Sequence, residues 1–230
     1  MKSKFTLLLI LIFATQIGVS QNCEAISPYK EGMSLEYTNY NKKGKVTSVD
    51  SYVVKSVSET NGELIINIEA TVEDKKKNAT TKKQTLKCID GNFYVDMSDY
   101  LSHQTEDQKS TLEFKAVGDF VEFPSDLKAG LLLKDANIEL KMAGSEGASD
   151  VALVNMKVLN RKVLQEGSFT TKAGEFNAYK MSFDYVFTIG FIKIRGSGIE
   201  WYVKGVGIVK TESYSKKGKL RWTRELTKLN

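Results

Sequence analysis

The sequence predicts an all-β protein built on a single large, strongly curved antiparallel sheet. The sheet would be an open barrel or sandwich-like, with roughly a dozen strands and at most one short helix. Apolar and polar residues alternate with a period of two over long stretches, which places one set of side chains on each face of a strand. Turn signals such as Asn61-Gly62 and Asp90-Gly91 separate these stretches at the spacing typical of hairpins. A sheet of this length is expected to curl, because curling protects its edges.

The elements follow from this pattern in chain order. Strands are predicted over residues 34–40, 46–57, 64–72, 84–89, 92–97, 111–117, 120–123, 138–142, 151–164 and 168–172. Pro124 ends one of them, because proline cannot donate to a ladder. Residues 98–108 are polar and predict a short helix or an ordered loop, and Glu166-Gly167 predicts a turn.

Two lysine-rich segments resemble each other and predict the same kind of hairpin turn. They are Asn41-Lys42-Lys43-Gly44-Lys45 and Ser215-Lys216-Lys217-Gly218-Lys219. In both, glycine would supply the positive φ and the lysines would keep the tip in solvent.

The clearest alternation lies between residues 175 and 229, where Gly196 and Gly198 are predicted to form a break between two strands. Its inward face would carry six aromatic residues, which are the candidate ligand-lining residues: Tyr179, Phe183, Tyr185, Phe187, Trp201 and Trp222. These rings fit an ordinary packed core. They also fit a groove in a curved sheet, where tyrosine hydroxyls and indole N–H groups would orient an amphipathic ligand.

The first 20 residues are predicted to be a signal peptide. Lys2 and Lys4 precede an apolar run over 5–13, and small or polar residues follow to Ser20. A membrane anchor is the alternative, but the run is short for a span. The remaining chain, 21–230, is predicted to be one antiparallel β domain without a transmembrane span, located in the periplasm, at the outer membrane or outside the cell. A lipoprotein anchored at Cys23 is a second alternative, although the residues before that cysteine are not the small ones expected.

Cys23 and Cys88 are predicted to form a disulfide, because an exported chain with an even cysteine count favours one. Closing a loop of about 65 residues would stabilise the fold by about 4 kcal/mol in the chain-entropy model. Two buried free thiols are the alternative.

The composition argues against several chemistries. The only histidine, His103, cannot build a histidine metal cluster, and no segment has the spacing of a calcium loop. Gly205-Val206-Gly207 lacks the third glycine of a dinucleotide loop and predicts a tight turn. A hydrolase would have to use His103 beside Ser102, without a G-x-S-x-G elbow, or a carboxylate pair that nothing in the sequence singles out. The sequence therefore predicts no enzyme and no cofactor.

Charge gives a weaker indication. The chain has 33 Lys and Arg against 28 Asp and Glu, and removal of Lys2 and Lys4 leaves it mildly basic. The lysine runs fall where turns are expected and lack interleaved aromatic residues, so they predict solvated loop tips and no nucleic-acid binding.

Several segments resemble the TapB-like proteins, exported bacterial β-proteins related to a broad family of unknown function. The resemblance is carried by residues 29–45, by residues 90–97 (DGNFYVDM), by residues 173–180 (AGEFNAYK) and by residues 201–210 (WYVKGVGIVK). It implies an exported, mainly antiparallel β domain, and it implies no activity, because that family offers no catalytic residues to carry over.

Together these features predict a non-enzymatic binding protein of the cell envelope, which carries an apolar or amphipathic ligand in the concave face of its sheet. The alternative is a structural or assembly protein that binds an envelope protein through a strand edge or the lysine turns. A hydrolase with an unidentified carboxylate site is the third hypothesis.

Overall fold

The computed structural model describes Cys23 and residues 29–96, 114–142 and 151–230. The predicted signal peptide and the 98–108 segment with Ser102 and His103 lie outside these residues. Within them the all-β prediction is confirmed by 13 antiparallel strands in one sheet. The strands are β1 (Ser34–Asn41), β2 (Val46–Thr60), β3 (Glu63–Asp74), β4 (Ala79–Ile89), β5 (Asn92–Asp96), β6 (Phe114–Gly118), β7 (Phe120–Phe123), β8 (Ala136–Met142), β9 (Val151–Thr171), β10 (Gly174–Ile189), β11 (Ile192–Val203), β12 (Gly207–Ser215) and β13 (Leu220–Leu229).

The sheet curls into a nearly closed barrel. Its strand order is β6-β8-β9-β10-β11-β12-β13-β1-β2-β3-β4-β5-β7, so β1 joins the C-terminal strands to the N-terminal ones through β13. The two edge strands, β6 and β7, are consecutive in the chain and are joined by Asp119 alone. The edges therefore lie close together.

The seam between the edges is held by hydrogen bonds. The Asp119 amide donates to the Asn137 carbonyl over 2.8 Å, and its carboxylate accepts from the Asn137 amide over 3.0 Å. From β9, Arg161 Nη1 donates to the carbonyls of Glu122 and Lys134 over 3.0 and 2.9 Å. These contacts satisfy backbone groups that an open edge would leave without partners.

The predicted hairpin turns are confirmed by the backbone. Asn61 and Gly62 have φ of 54° and 80°, and Asp90 and Gly91 have φ of 50° and 79°, which is the two-residue turn that matches the twist of paired strands.

The two lysine turns have the same geometry, as their resemblance predicts. Gly44 and Gly218 both have φ of 71°. Each glycine amide donates over 2.8 Å to the carbonyl of the residue three positions before it, Asn41 in one turn and Ser215 in the other.

Two expectations about turns are wrong. Glu166-Gly167 is not a turn: β9 runs without interruption from Val151 to Thr171 and pairs with β10 along most of its length. The pairing continues because register shifts absorb the irregular stretch near Leu164. Gly196 and Gly198 are not a break either, since both lie inside β11. They are glycines because aromatic rings from β10 lie over them.

The predicted disulfide is present in the structure. Cys23 and Cys88 are bonded with their Cα atoms 5.9 Å apart, and both are buried. The bond fixes the segment before β1 to the end of β4. Lipidation of Cys23 would require the same sulfur.

Candidate functional site

A cavity of about 470 Å³ lies inside the curved sheet. Its apolar wall includes Leu35, Ile68, Leu86, Val95, Phe123, Met156, Phe183, Phe187, Ile194 and Val206. Its polar lining includes Asn39, Thr47, Ser48, Tyr52, Gln84, Glu200, Thr211, Ser213, Arg221 and Arg224. The volume lies within the range of about 300 to 1,000 Å³ that ligand pockets occupy, and an apolar wall with a few converging polar groups is their usual chemistry.

Phe183, Tyr185, Phe187 and Trp222, four of the six predicted aromatic residues, line this cavity. The first three are on β10, where the period of two puts them on one face, and Trp222 reaches the cavity from β13. The structure thus brings together residues that are about 35 positions apart in the sequence.

The shape of the cavity depends on rings that lie flat over glycines. Phe183 is the cross-strand partner of Gly198, and Tyr185 is the partner of Gly196. A Cβ atom on Gly198 would lie 2.1 Å from Phe183 Cζ, and one on Gly196 would lie 2.4 Å from the Tyr185 hydroxyl oxygen. Only glycine leaves room for the rings against the sheet, and rings in that position leave the centre of the barrel open.

The Tyr185 ring is also fixed at its polar end. Its hydroxyl lies 3.2 Å from Ser213 Oγ, and it donates to the Tyr214 carbonyl over 3.2 Å. Both partners are on β12, so the ring spans β11 and holds one wall of the cavity in place.

The neighbouring part of the wall, on β13, carries a cationic group, Arg224. Its guanidinium lies over the rings of Tyr37 and Tyr52, 4.2 and 5.2 Å from their centroids. Nη2 donates to the Tyr52 hydroxyl over 2.5 Å and lies 3.5 Å from Asp50 Oδ2. The buried Nε has no hydrogen-bond partner among the described residues.

Asp50 is fully buried beneath this arginine. Its carboxylate accepts hydrogen bonds from Asn39 Nδ2 over 2.9 Å and from the Ser48 hydroxyl over 3.3 Å. A buried carboxylate is tolerated when it is paired and hydrogen-bonded in this way.

This environment changes the ionisation of its members. Burial would lower the pKa of Arg224, but Tyr52, Asp50 and Tyr37 raise it above its usual value, so the guanidinium stays charged. Burial raises the pKa of Tyr37 well above its usual range, against the lowering effect of Arg224. Tyr37 is therefore neutral at neutral pH, and the guanidinium lies over the ring of an uncharged phenol.

One end of the cavity is closed by buried side chains. The Tyr29 hydroxyl donates to the Val206 carbonyl over 2.8 Å, and Phe123 stacks on Tyr202 with ring centroids 4.3 Å apart. All four residues are at most 9% exposed.

The lining at the other end is accessible. Thr47, Ile194 and Trp222 are partly exposed and Arg221 is exposed. They lie near the β1–β2, β10–β11 and β12–β13 turns, so the cavity opens at that end of the barrel.

Tyr179 and Trp201, the two remaining predicted residues, do not line the cavity. Tyr179 is buried on the same face of β10 but beyond the closed end, with Lys204 Nζ 5.4 Å from its ring centroid. Trp201 lies on the opposite face of β11 from Glu200 and Tyr202, which line the cavity. The prediction that Trp201 faces inward is therefore wrong, because the residues on either side of it in the sequence face inward instead.

Tertiary contacts explain why an indole occurs on the outer face of the sheet. Phe169, which lies in β9 close to the β9–β10 turn, stacks on Trp201 with ring centroids 4.8 Å apart. Lys210 lies over both rings, 5.3 Å from one centroid and 5.7 Å from the other. The hairpin thus covers an indole that would otherwise be an exposed apolar surface.

Sequence reasoning missed the polar wall. Asp50 has the same strand parity as Tyr52 and Val54, and Arg224 has the same parity as Trp222 and Leu226. A charged residue at an inward position is the signal that could have found both.

Among the described residues, no group of three or more His, Cys, Asp or Glu side chains could hold a metal ion. In the same part of the chain there is no helix that is both long enough and apolar enough to cross a membrane.

Residues 30–226 match the model of the DUF3108-like family, and the chain belongs to that family. No curated protein matches the sequence. The resemblance to the TapB-like proteins stays a prediction.

Two solved structures share the fold. One is a predicted exported protein with a YmcC-like fold from Bacteroides fragilis, with a TM-score of 0.75 and 23% identity over 89% of this chain and 98% of that one. The other is a predicted lipoprotein from Parabacteroides distasonis, with a TM-score of 0.75 and 22% identity over the same shares of the two chains. At this level of identity the similarity shows the fold.

Proposed function

We propose that this protein is a non-enzymatic envelope protein that binds an amphipathic ligand inside its barrel. The observation that carries the proposal is the cavity lined by the ring-over-glycine wall and by Arg224. At the liquid volume of about 30 Å³ per water, it has room for about fifteen groups of that size. Export of the chain rests on the predicted signal peptide and is part of the proposal.

The lining indicates how such a ligand would lie. Its apolar part would contact Met156, Phe183 and Phe187, and its polar group would lie near Arg224 and Arg221. Because a guanidinium group only donates hydrogen bonds and carries a positive charge, the polar group is expected to be an acceptor such as a carboxylate.

The protein-partner alternative has less support. The edge strands that could add a foreign strand, β6 and β7, have only 5 and 4 residues and are joined to each other. Short edges are one way in which native sheets avoid edge-to-edge pairing. The hydrolase hypothesis depends on residues outside the described part of the chain or on a carboxylate pair that remains unassigned.

The proposal can be tested with a dansyl-labelled undecanoic acid, which has an apolar chain and a carboxylate. Leu86 lines the cavity and is partly buried, so Leu86→Trp should fill space and weaken probe binding at least about tenfold. Leu164→Trp is the matched control, because Leu164 is 41% exposed and does not line the cavity. Its probe affinity should equal that of the wild type.

The polar group is tested separately with the methyl ester of the same probe. The neutral ester should bind about tenfold more weakly, since a hydrogen bond to a charged group is worth about 1.5 to 3 kcal/mol. Mass spectrometry of small molecules that co-purify would identify the natural ligand class. Binding by a folded Leu86→Trp variant that equals the wild type would reject the cavity as the site.

A further inference from the structure

In the described part of the chain, four hairpin turns emerge from one end of the barrel. The strands from β10 to β4 are consecutive neighbours in the sheet, and every adjacent pair is antiparallel. The β10–β11, β12–β13, β1–β2 and β3–β4 turns therefore lie at the same end, each about 10 Å along the rim from the next at the usual strand spacing. We call these four turns, together with the strand residues that flank them, the basic rim: residues 189–195, 215–219, 41–45 and 74–78.

The basic rim concentrates positive charge. It contains 11 Lys and Arg and one acidic residue, whereas the rest of the chain has 22 basic and 27 acidic residues. The basic residues are Lys42, Lys43, Lys45, Lys75, Lys76, Lys77, Lys193, Arg195, Lys216, Lys217 and Lys219. The single acidic residue, Asp74, accepts hydrogen bonds from the Lys76 and Asn78 amides over 2.7 and 2.9 Å, so its carboxylate is engaged within its own turn.

The described turns at the opposite end of the barrel lack this bias. The β2–β3 turn is Asn61-Gly62, the β4–β5 turn contains Asp90, and the β9–β10 and β11–β12 turns contain one lysine each, Lys172 and Lys204. Each of the three lysine segments by itself has the composition of a solvated tip, and only the sheet order places them side by side, next to the β10–β11 turn.

The β10–β11 turn of the basic rim differs in composition from the three lysine turns. Phe191 at its tip is 100% exposed, and Ile189 and Ile192 beside it are 45% and 58% exposed. Lys193 and Arg195 follow and are also exposed. Hairpin tips ordinarily carry small polar residues. Three neighbouring exposed apolar side chains at such a tip therefore indicate an interaction surface.

We propose that the basic rim binds the surface of an anionic lipid membrane and that the Phe191 tip enters the interface between head groups and acyl chains. Lysines attract the anionic head groups, and an aromatic or aliphatic tip adds buried apolar area. A membrane surface accommodates an exposed ring flanked by cations, because it offers anionic head groups beside an apolar layer. A uniformly polar polyanion would bind the cations but would leave Phe191 in water.

The position of the cavity agrees with this orientation. Its accessible lining, including Arg221 and Trp222, lies at the same end as the basic rim. A membrane-bound barrel would thus turn its opening towards the lipid, where an amphipathic ligand could be exchanged. Membrane binding itself does not depend on the cavity holding a ligand, so the two proposals can fail separately.

The test is co-sedimentation of the full mature chain with vesicles in 0.15 M salt. Vesicles of phosphatidylcholine with one fifth phosphatidylglycerol should bind the protein, and pure phosphatidylcholine should bind it far more weakly. Phe191→Ser should lower the partition coefficient about tenfold. Leu132→Ser, which changes a 73% exposed leucine away from the rim, should leave it unchanged.

The charge is tested by reversal. Changing Lys42, Lys43, Lys216 and Lys217 to Glu should lower binding more than 100-fold, because each cation at an anionic surface contributes a factor of about five. The matched control reverses Lys30, Lys55, Lys128 and Lys162, which are away from the rim. It has the same net charge and should bind within a few-fold of the wild type, since charges beyond about 8 Å are screened at this salt concentration.

Three results would overturn the proposal. One is no binding of the wild type to the anionic vesicles. The second is equal loss of binding in the two reversal variants, which would show that net charge alone drives association. The third is full vesicle binding by Phe191→Ser together with rim-dependent binding to heparin, which would identify a soluble polyanion as the partner.

Discussion

Replacing Gly198 with alanine tests the ring-over-glycine wall directly. The new Cβ would lie 2.1 Å from Phe183 Cζ and 2.4 Å from Cε1. An ordinary contact begins near 3.4 Å, so the ring must move by about 1.3 Å or more, towards the cavity. Overpacking of this kind costs about 1 to 3 kcal/mol, and the lower unfolded-state entropy of alanine offsets about 0.4 to 1 kcal/mol of it.

The expected net loss in the free energy of unfolding is therefore about 1 to 2 kcal/mol, measured by urea denaturation. Gly167→Ala is the matched control. Gly167 also lies inside a strand, β9, but no atom lies within 4 Å of the place that a Cβ on this residue would occupy. This variant should be as stable as the wild type or slightly more so.

A second-site change separates the ring clash from any other effect of the substitution. Phe183→Leu shortens the side chain that meets the new methyl group, so the double variant should lose less stability than the two single changes added together. The reasoning fails if Gly198→Ala is as stable as Gly167→Ala. It also fails if the two single changes are strictly additive.

Three other predictions concern the disulfide, the outer indole and the alkaline limit of stability. Replacing Cys23 and Cys88 with alanine should lower the free energy of unfolding by about 2 to 4 kcal/mol in urea denaturation, and an unchanged midpoint would contradict this. Phe169→Ala should expose Trp201 to water and so shift the tryptophan emission to the red. The free energy of unfolding should fall by about 1 to 2 kcal/mol, because the Phe169 ring is only partly buried. An unshifted spectrum would mean that the hairpin does not shield the indole. The hydrogen bond to a carboxylate, followed by burial, raises the pKa of Tyr214 to about 12, so its stabilising effect is present below the usual tyrosine pKa of about 10 and is lost as the pH rises towards 12. Between pH 10 and 12 the urea midpoint of the wild type should therefore fall more steeply than that of Tyr214→Phe, and parallel curves would contradict the assignment.

Local signals in the sequence predicted much of the fold because they act over a few residues. Asn61-Gly62 and Asp90-Gly91 specify their turns through positive φ, which few other residues adopt. The alternation in β10 predicted one face correctly, since Phe183, Tyr185 and Phe187 all line the cavity. Four of the six candidate residues were thus placed on the cavity wall by the period of two and their ring chemistry.

The misplacements have long-range causes. The period of two says that neighbours lie on opposite faces, but it does not say which face is inside. The alternation predicts Trp201 inward because it is more apolar than Glu200, yet Phe169 covers it from outside. The sequence predicts a break at Gly198 because the ring above this glycine comes from another strand, and nothing adjacent in the sequence shows that ring.

By itself, the sequence determined the strand-rich class of the fold, the position of most turns and the pairing of its two cysteines, because propensity, turn chemistry and a unique pair of thiols are properties of short segments or of composition. The tertiary structure alone decided that Arg224 and Asp50 meet inside the barrel, that the rings of β10 leave a cavity open, and that four separate turns form one basic rim. Those features depend on strand order and register, which set distances between residues as far apart as 50 and 224. No local pattern in a chain encodes such distances.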